Sequence, residues 1–486
     1  MTKNDNQYPG HPELVSGSHH LGANAVMRFR ISSLQSGMTN RAGLFTKKKG
    51  SYLPVILMAS VLFLAFSTAI ITLSMSNVKI ANLHNKKITS MSIAEAGINY
   101  YLWHLAHDNT DYCDGQPTCD SNSSFIHNYT DDAGNVLGTY ELFITPPSPG
   151  QSSVTVKSVG KVNGTSPTRT VITTIGMPSF TKYTLLVNGE QLWVGSGEKV
   201  TGTVHVNNSG MYNQGEITGD ASSTESTYNS WNWGIQPGVA GSGVYGGAKL
   251  YPVPRIDFNQ VDIDIKTIRD DAKDNGKGDY FDNAPSGSSG YHIVLKTDSY
   301  DLYKVTNFNN TGLNITAETL LGNHVYPEEG IIFLEDNVWI NGTIDGQQIT
   351  VIAADPEKNG NQCKRIVIPD LLKYTNMDGS DKIGLITQTD ILIAKTAPYN
   401  MEIDAAMIAK NGEIKIKDYN NLHKGNMKVY GSMAHNTGLV WTYSHGGGDW
   451  TGYATTETII DQSNVLNPPP KFPLTGTYEI LSWREE

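Results

Sequence analysis

Several groups of residues have types and spacings that could do chemistry. His445-Gly446-Gly447-Gly448-Asp449-Trp450 has the composition of an esterase oxyanion loop. Such a loop works with a nucleophilic serine in a G-x-S-x-G strand–turn–helix, and that segment is absent. Asp262 with Asp264, and Asp378 with Asp381, could pair as carboxylates of the kind that hydrolyse polysaccharides, although acid pairs on polar surfaces are usually just solvated. Asp271 to Asp282 places Gly276 and Asp282 at calcium-loop positions six and twelve. Position three is Lys273, where an oxygen ligand is required, so an EF-hand fails. Ca²⁺ held less formally by Asp, Asn and Gly is the one cofactor entertained. The 13 histidines lack metal spacing, and no P-loop, dinucleotide fingerprint or HExxH motif occurs. The expectation is a protein that is not an enzyme. Cys113 and Cys119, with Gly and Pro between them, suit a small disulfide loop. Cys363 has no obvious partner and is expected to be buried and inert. Trp231 and Trp233 could stack on sugars or contact a protein ligand, or simply fill a core.

Composition sets the elements that must position these residues. Of 486 residues, 48 are Gly and 21 Pro, which favours many turns over a helical bundle. Net charge is −11, unevenly spread. Residues 1–50 hold seven Lys/Arg and two acids, giving +5, and the remainder carries −16. A large acidic body is a poor nucleic-acid binder, because phosphate neutralisation needs clustered Lys and Arg. No nucleic-acid partner is expected.

The basic end has a topological explanation. No charged residue falls between Lys49 and Lys79, and residues 52–75 are almost wholly apolar. About 20 apolar residues span a bilayer as a helix. Lys47, Lys48 and Lys49 abut its start, which predicts a single pass with the N-terminus in the cytoplasm and the body outside. Beyond it, Ile88, Met91, Ala94, Ile98, Tyr101, Leu102 and Leu105 keep helical spacing. Residues 51–107 therefore read as one helix, apolar all round in its first half and amphipathic in its second. A plain anchor does not need the amphipathic extension, whereas a subunit packed side by side in a filament does.

The stretch KKKG-SYLPVILMASVLFLAFSTAIITLS, with SIAEAGINYYLWHL after it, resembles the N-terminus of PilX-type minor type IV pilins. In that family a prepilin peptidase cuts after a basic leader ending in Gly, and the helix then packs beside other pilin subunits in a filament. The resemblance implies a cut between Gly50 and Ser51. Ala94-Glu95-Ala96-Gly97 matches the family's AEAG segment. The family's first-position Phe is replaced by Ser51, and its fifth-position Glu by Val55, as in some subunits at filament tips. Residues 1–37 fit no element. A start at Met38 would leave a basic leader of the expected kind; a cytoplasmic tail is the other reading.

After the helix, residues 108–178 alternate in the strand manner around Tyr140–Ile144, Val154–Val159 and Arg169–Ile175, predicting a small pilin-like β head on the amphipathic helix. From residue 180 a five-residue pattern centred on Gly recurs at Val200–Val204, Ile217–Ala221, Ile340–Ile344 and Val429–Met433. With aliphatic runs such as Ile349–Ala353 and Ile391–Ile393, it predicts β-solenoid rungs over 180–486, antiparallel sandwich hairpins being the alternative. Val261–Ala272 should interrupt them as a helix. Segments from GIIFLEDNVWINGTIDGQQITVIAA to the final PPPKFPLTGTYEILSWREE resemble a β-rich domain of unassigned function found behind pilin-like N-termini in bacterial surface proteins. Phe472, Pro473, Tyr478 and Trp483 are expected to cap the last rung.

The fold class is thus α+β, with a long N-terminal helix, a small head and a mainly-β body. The expected role is a non-enzymatic, pilin-like subunit at the cell surface. The alternatives are a membrane-anchored adhesin that binds carbohydrate or, less favoured, a β-helix enzyme acting on polysaccharide.

Overall fold

The structure, a computed structural model, describes residues 52–486 apart from 109–110, 121–122, 148–152, 165–166, 232, 359, 447–448 and 477. The leader with Lys47, Lys48 and Lys49, and the Gly50–Ser51 junction, lie outside the described residues. The first helix, α1, is Leu53–His107. Pro54 stands in its first turn, where no intrahelical N–H is needed. The chain divides into two compact units, residues 1–76 and 77–486.

In the second unit, α1 buries Ser90, Ile93, Ala94, Gly97, Ile98, Tyr101 and Leu105 on a single face. That face meets an antiparallel sheet of β1 (Ser124–Thr130), β2 (Val136–Thr145), β3 (Ser153–Val162) and β4 (Thr168–Gly176). Inward residues of these strands, including Leu142, Val154, Val156, Val171 and Ile175, complete one core with the helix. The contact is close. A methyl group on Gly160 would lie 2.1 Å from the Ser90 carbonyl oxygen, and one on Gly97 would lie 2.4 Å from Ser158 Oγ. Gly97 weakens the helix locally, by ~1 kcal/mol against Ala. Its bareness is what lets the helix settle onto the sheet.

The sheet has a fifth strand from the far end of the sequence. Glu479–Glu485 pairs antiparallel with β4. The β body is therefore an insertion between two strands of the head, and the tail does not cap a rung. Phe472 is buried in the body. Tyr478 packs against the head core, and Trp483 is half exposed on the returning strand.

The body is a stack of parallel rungs whose order in space differs from that in the sequence. Leu185–Val187 pairs with Val204–Val206, that with Ala221–Ser223, and that with Lys249–Leu250. The chain then leaves this end through α2 (Gln260–Lys273) and restarts at Gly278–Phe281. From there rungs return through Ile331–Leu334, Gln348–Ala353, Lys382–Thr387 and Met401–Ala409. The last of these lies beside His423–His435. That strand docks on the starting rung: Met433, Ala434 and His435 pair with Leu185, Leu186 and Val187. On a second side Thr456–Ile459 pairs with Glu198–Thr201. The seam between the first and last rungs of the sequence thus lies within the stack, whose outermost rungs are Lys249–Leu250 and Gly278–Phe281.

The five-residue pattern marks bends. Gly202 and Gly431 turn the chain between two sides of the stack with φ of +125° and +145°. A methyl on Gly431 would fall 2.0 Å from the Ala405 carbonyl oxygen of the rung beneath, so both conformation and proximity demand Gly. Continuous apolar runs such as Ile331–Leu334 are buried on both faces. Ile332 and Leu334 point into the stack. Ile331 and Phe333 face a second core formed with Phe258, Val261, Ile265 and Ile268 of the crossover and α2. Runs without alternation are the mark of strands covered on both sides.

Carboxamides tie the seam. Asn188 Nδ2 donates to Asn436 Oδ1 (2.9 Å), and Asn207 Nδ2 donates to Asn188 Oδ1 (3.0 Å). Asn207 Nδ2 also donates to the Ile256 carbonyl (2.8 Å), which fastens the crossover. Asn188→Ala should strip partners from two neighbours and cost about 1–3 kcal/mol, read as a fall in the denaturant midpoint of the full chain. Glu198 lies on the same seam, and burial pushes its carboxyl up to about 7 although the Gly195 N–H donates to Oε2 (2.7 Å). A carboxyl raised in the folded state contributes stability below its ordinary value of 4.5 that is lost as pH climbs toward 7. Glu198→Gln should flatten this decline when unfolding temperatures are compared from pH 4.5 to 8.

Candidate functional site

The first-half residues of α1 form no core. Tyr52 through Ile88 are exposed on every face, Ser67 alone being partly covered. Three hydroxyls in this run bond back to the helix itself. Ser60 Oγ donates to the Leu57 carbonyl (2.9 Å), Thr68 Oγ1 to Ala65 (2.9 Å), and Thr72 Oγ1 to Thr68 (2.9 Å). From Leu53 to Leu73 the exposed surface is apolar apart from scattered Ser and Thr, which suits hydrocarbon. By length and composition the helix can cross a membrane. Val55 lies in its first turn and is exposed.

The exit from α1 is stapled. Cys113 and Cys119 form a disulfide. Asp111 accepts N–H bonds from Cys113 (2.8 Å) and Gly115 (2.6 Å) and pairs with His104 of the last helical turn (3.0 Å). Burial alone would raise the Asp111 pKa; the two N–H groups and His104 outweigh it and hold the carboxyl below its ordinary range. Asp114 pairs with His127 on β1 (2.6 Å), and that ring stacks on Tyr140 of β2. The loop thus joins helix end to sheet edge. Reducing the disulfide should remove about 2 kcal/mol, the loop-closure entropy of a seven-residue loop, seen as a lower unfolding midpoint with reductant than without.

Trp233 and Trp231 belong to an aromatic shelf on the rung stack. Trp193 and Tyr212 are register partners on adjacent rungs, their rings 5.1 Å apart and 27° from parallel. The hairpin Thr227–Ser230/Gly234–Pro237 leaves the stack just before Val239. It lays Trp233 across both rings, 4.0 Å from Tyr212 at 10° and 4.6 Å from Trp193 at 24°. Tyr228 anchors the hairpin in the space left by Gly210, where a methyl would meet its ring at 2.1 Å. Trp233 is 41% exposed, Trp231 67% and Ile235 78%. Trp231 is tethered by its backbone N–H to Gln191 Oε1 (3.3 Å). Sequence reasoning picked the two hairpin tryptophans and missed Trp193 and Tyr212. Their 19-residue spacing equals that of Leu185 and Val204, partners on adjacent rungs, and was the available signal.

The remaining candidates separate. Asp262 and Asp264 lie two apart on α2. Asp381 is fully buried and its carboxylate accepts the N–H groups of Gln347, Thr375 and Asn376 (3.2, 2.9 and 2.7 Å), so it pins a turn. Asp378 caps Ser380 in the same turn (3.0 Å). Asp271 meets Lys277 (3.3 Å) and Lys471 (3.4 Å), cations where a calcium ligand would need an open carboxylate. His445 and Asp449 stand in a hairpin whose turn, 447–448, is outside the described residues. Among the described residues no three His, Cys, Asp or Glu side chains gather as metal ligands. Cys363 departs from expectation: it is part-exposed, and its thiol donates to the Lys358 carbonyl (3.5 Å) in a loop rather than a core.

No protein-family model matches the chain. No curated protein matches it. Among solved structures it aligns with the competence-associated pilin ComZ from Thermus thermophilus at 14% identity, over 82% of this chain and 97% of that chain, with a TM-score of 0.30. A likeness that slight carries no argument about this chain.

Proposed function

We propose that the chain is a non-enzymatic, pilin-like subunit. The observation that carries this reading is the double character of α1. Its apolar half is bare on every face, and its second half is seated on a small antiparallel sheet through Ser90, Ala94 and Gly97. An anchor alone does not need the seated half, and a soluble protein does not need the bare one. The basic Lys47-Lys48-Lys49-Gly50 leader supports an N-in orientation, processing by a prepilin peptidase between Gly50 and Ser51, and packing of α1 beside other pilin subunits. On this reading the subunit is a PilX-type minor pilin, and the rung stack is a β-solenoid displayed outside the membrane for assembly or adhesion. The use of Asp378 and Asp381 to hold a turn favours display over chemistry.

N-terminal sequencing of the protein in sheared surface filaments tests the proposal. A first residue of Ser51 is expected. A chain intact through Gly50–Ser51 and absent from filaments overturns it, and if the body is then found on the cell surface the protein is a permanently anchored adhesin.

A further inference from the structure

We infer that the shelf built on Trp233 binds a neutral saccharide, with a pyranose ring seated on the exposed aromatic faces. Three observations converge. The first is preorganisation. One face of Trp233 is stacked on Trp193 and Tyr212, which fixes the ring, and its remaining surface is open. Trp231 and Ile235 beside it are more exposed still. Fold stability does not require large apolar side chains in water at a hairpin tip, and such a patch marks a binding surface.

The second is charge. From Ser226 to Ala248 no residue is charged, although residues 51–486 carry −16 overall. A phosphate or carboxylate ligand would find no cation on the hairpin, and single-stranded nucleic acid needs a basic groove beside its stacking rings. Flat rings among uncharged carboxamides match a sugar, which offers a C–H face to the ring and hydroxyls to amides.

The third is unused hydrogen-bonding capacity. Gln191 is 8% exposed and receives the Trp231 backbone N–H at Oε1, yet its Nε2 has no partner. A buried donor left unpaired is costly, and a sugar hydroxyl reaching under the hairpin would supply the acceptor it lacks.

The inference rests on the proposed display outside the cell only for where the ligand would be met. Full-length protein in lipid nanodiscs, which avoid glycosidic detergents, is titrated by calorimetry with chitotetraose, maltotetraose and cellotetraose, and separately with a single-stranded oligodeoxythymidine. Binding of at least one oligosaccharide is expected, weakened tenfold or more by Trp231→Ala and by Trp233→Ala. Trp103→Ala, which alters an exposed tryptophan on α1, should leave it unchanged. Trp231→Ala keeps the test sound if Trp233→Ala misfolds, because Trp231 is outside the stack. The inference is overturned if no oligosaccharide binds, if binding survives both substitutions, or if the oligodeoxythymidine binds instead. Concentration-dependent self-association abolished by Trp231→Ala would also overturn it, by making a second copy the occupant. Each of these outcomes is independent of N-terminal cleavage, so failure here leaves the pilin-like reading standing.

Discussion

Parallel strands demand partners on both edges, and at the middle of the stack the body meets that demand with its own chain. Its first rung, at Leu185–Val187, is flanked by Val204–Val206 on one side and by Met433–His435 on the other. The two halves of the stack are thereby one continuous sheet, although more than 200 residues separate the strands in sequence. Without this seam each half would present an open edge at its middle, and unpaired edges invite association with other chains. The seam also explains why the crossover exists. A chain that builds outward from the middle must travel to the far end before it can build back, and α2 with Phe258 makes that journey over the apolar outer faces of Ile331, Phe333, Ile352 and Ile408.

The same logic governs the head. Because the last strand returns to β4, the helix, the head and the rung stack are bound into one unit from Asn77 to Glu486. The stack enters and leaves through neighbouring strands. Ser179 and Leu474 form a bridge where the two passages meet, and the Thr475 N–H donates to the Pro178 carbonyl (2.8 Å). Two adjacent connections restrain an inserted body more than one tether would.

Much of this was legible in the residues. The apolar run, its basic flank, the amphipathic continuation of α1, and α2 follow from periodicity and charge, which act over a few turns. The bends at Gly202 and Gly431 were visible as a recurring pattern because each rung meets the same steric demand. The carboxylate pairs illustrate the opposite case. Asp378 and Asp381 look equivalent in sequence, yet one caps an exposed turn and the other is buried and saturated by three backbone N–H groups. Spacing gives no access to that difference, because it depends on which loop from another rung lies alongside.

What the sequence by itself determined is local: which segment is apolar enough for a membrane, which face of α1 is sticky, where short strands must bend, and where charge is absent. The tertiary structure alone decided the order of rungs in space, the return of Glu479–Glu485 to the head, and the assembly of Trp193, Tyr212 and Trp233 into one stack. The physical reason is that strand pairing is specified by edges and by the faces left to be covered, not by distance along the chain. Any rung of similar length and apolar pattern offers nearly the same edge. The choice among them is made by the seam carboxamides, the glycine contacts and the crossover together, and those contacts exist only once the chain has closed.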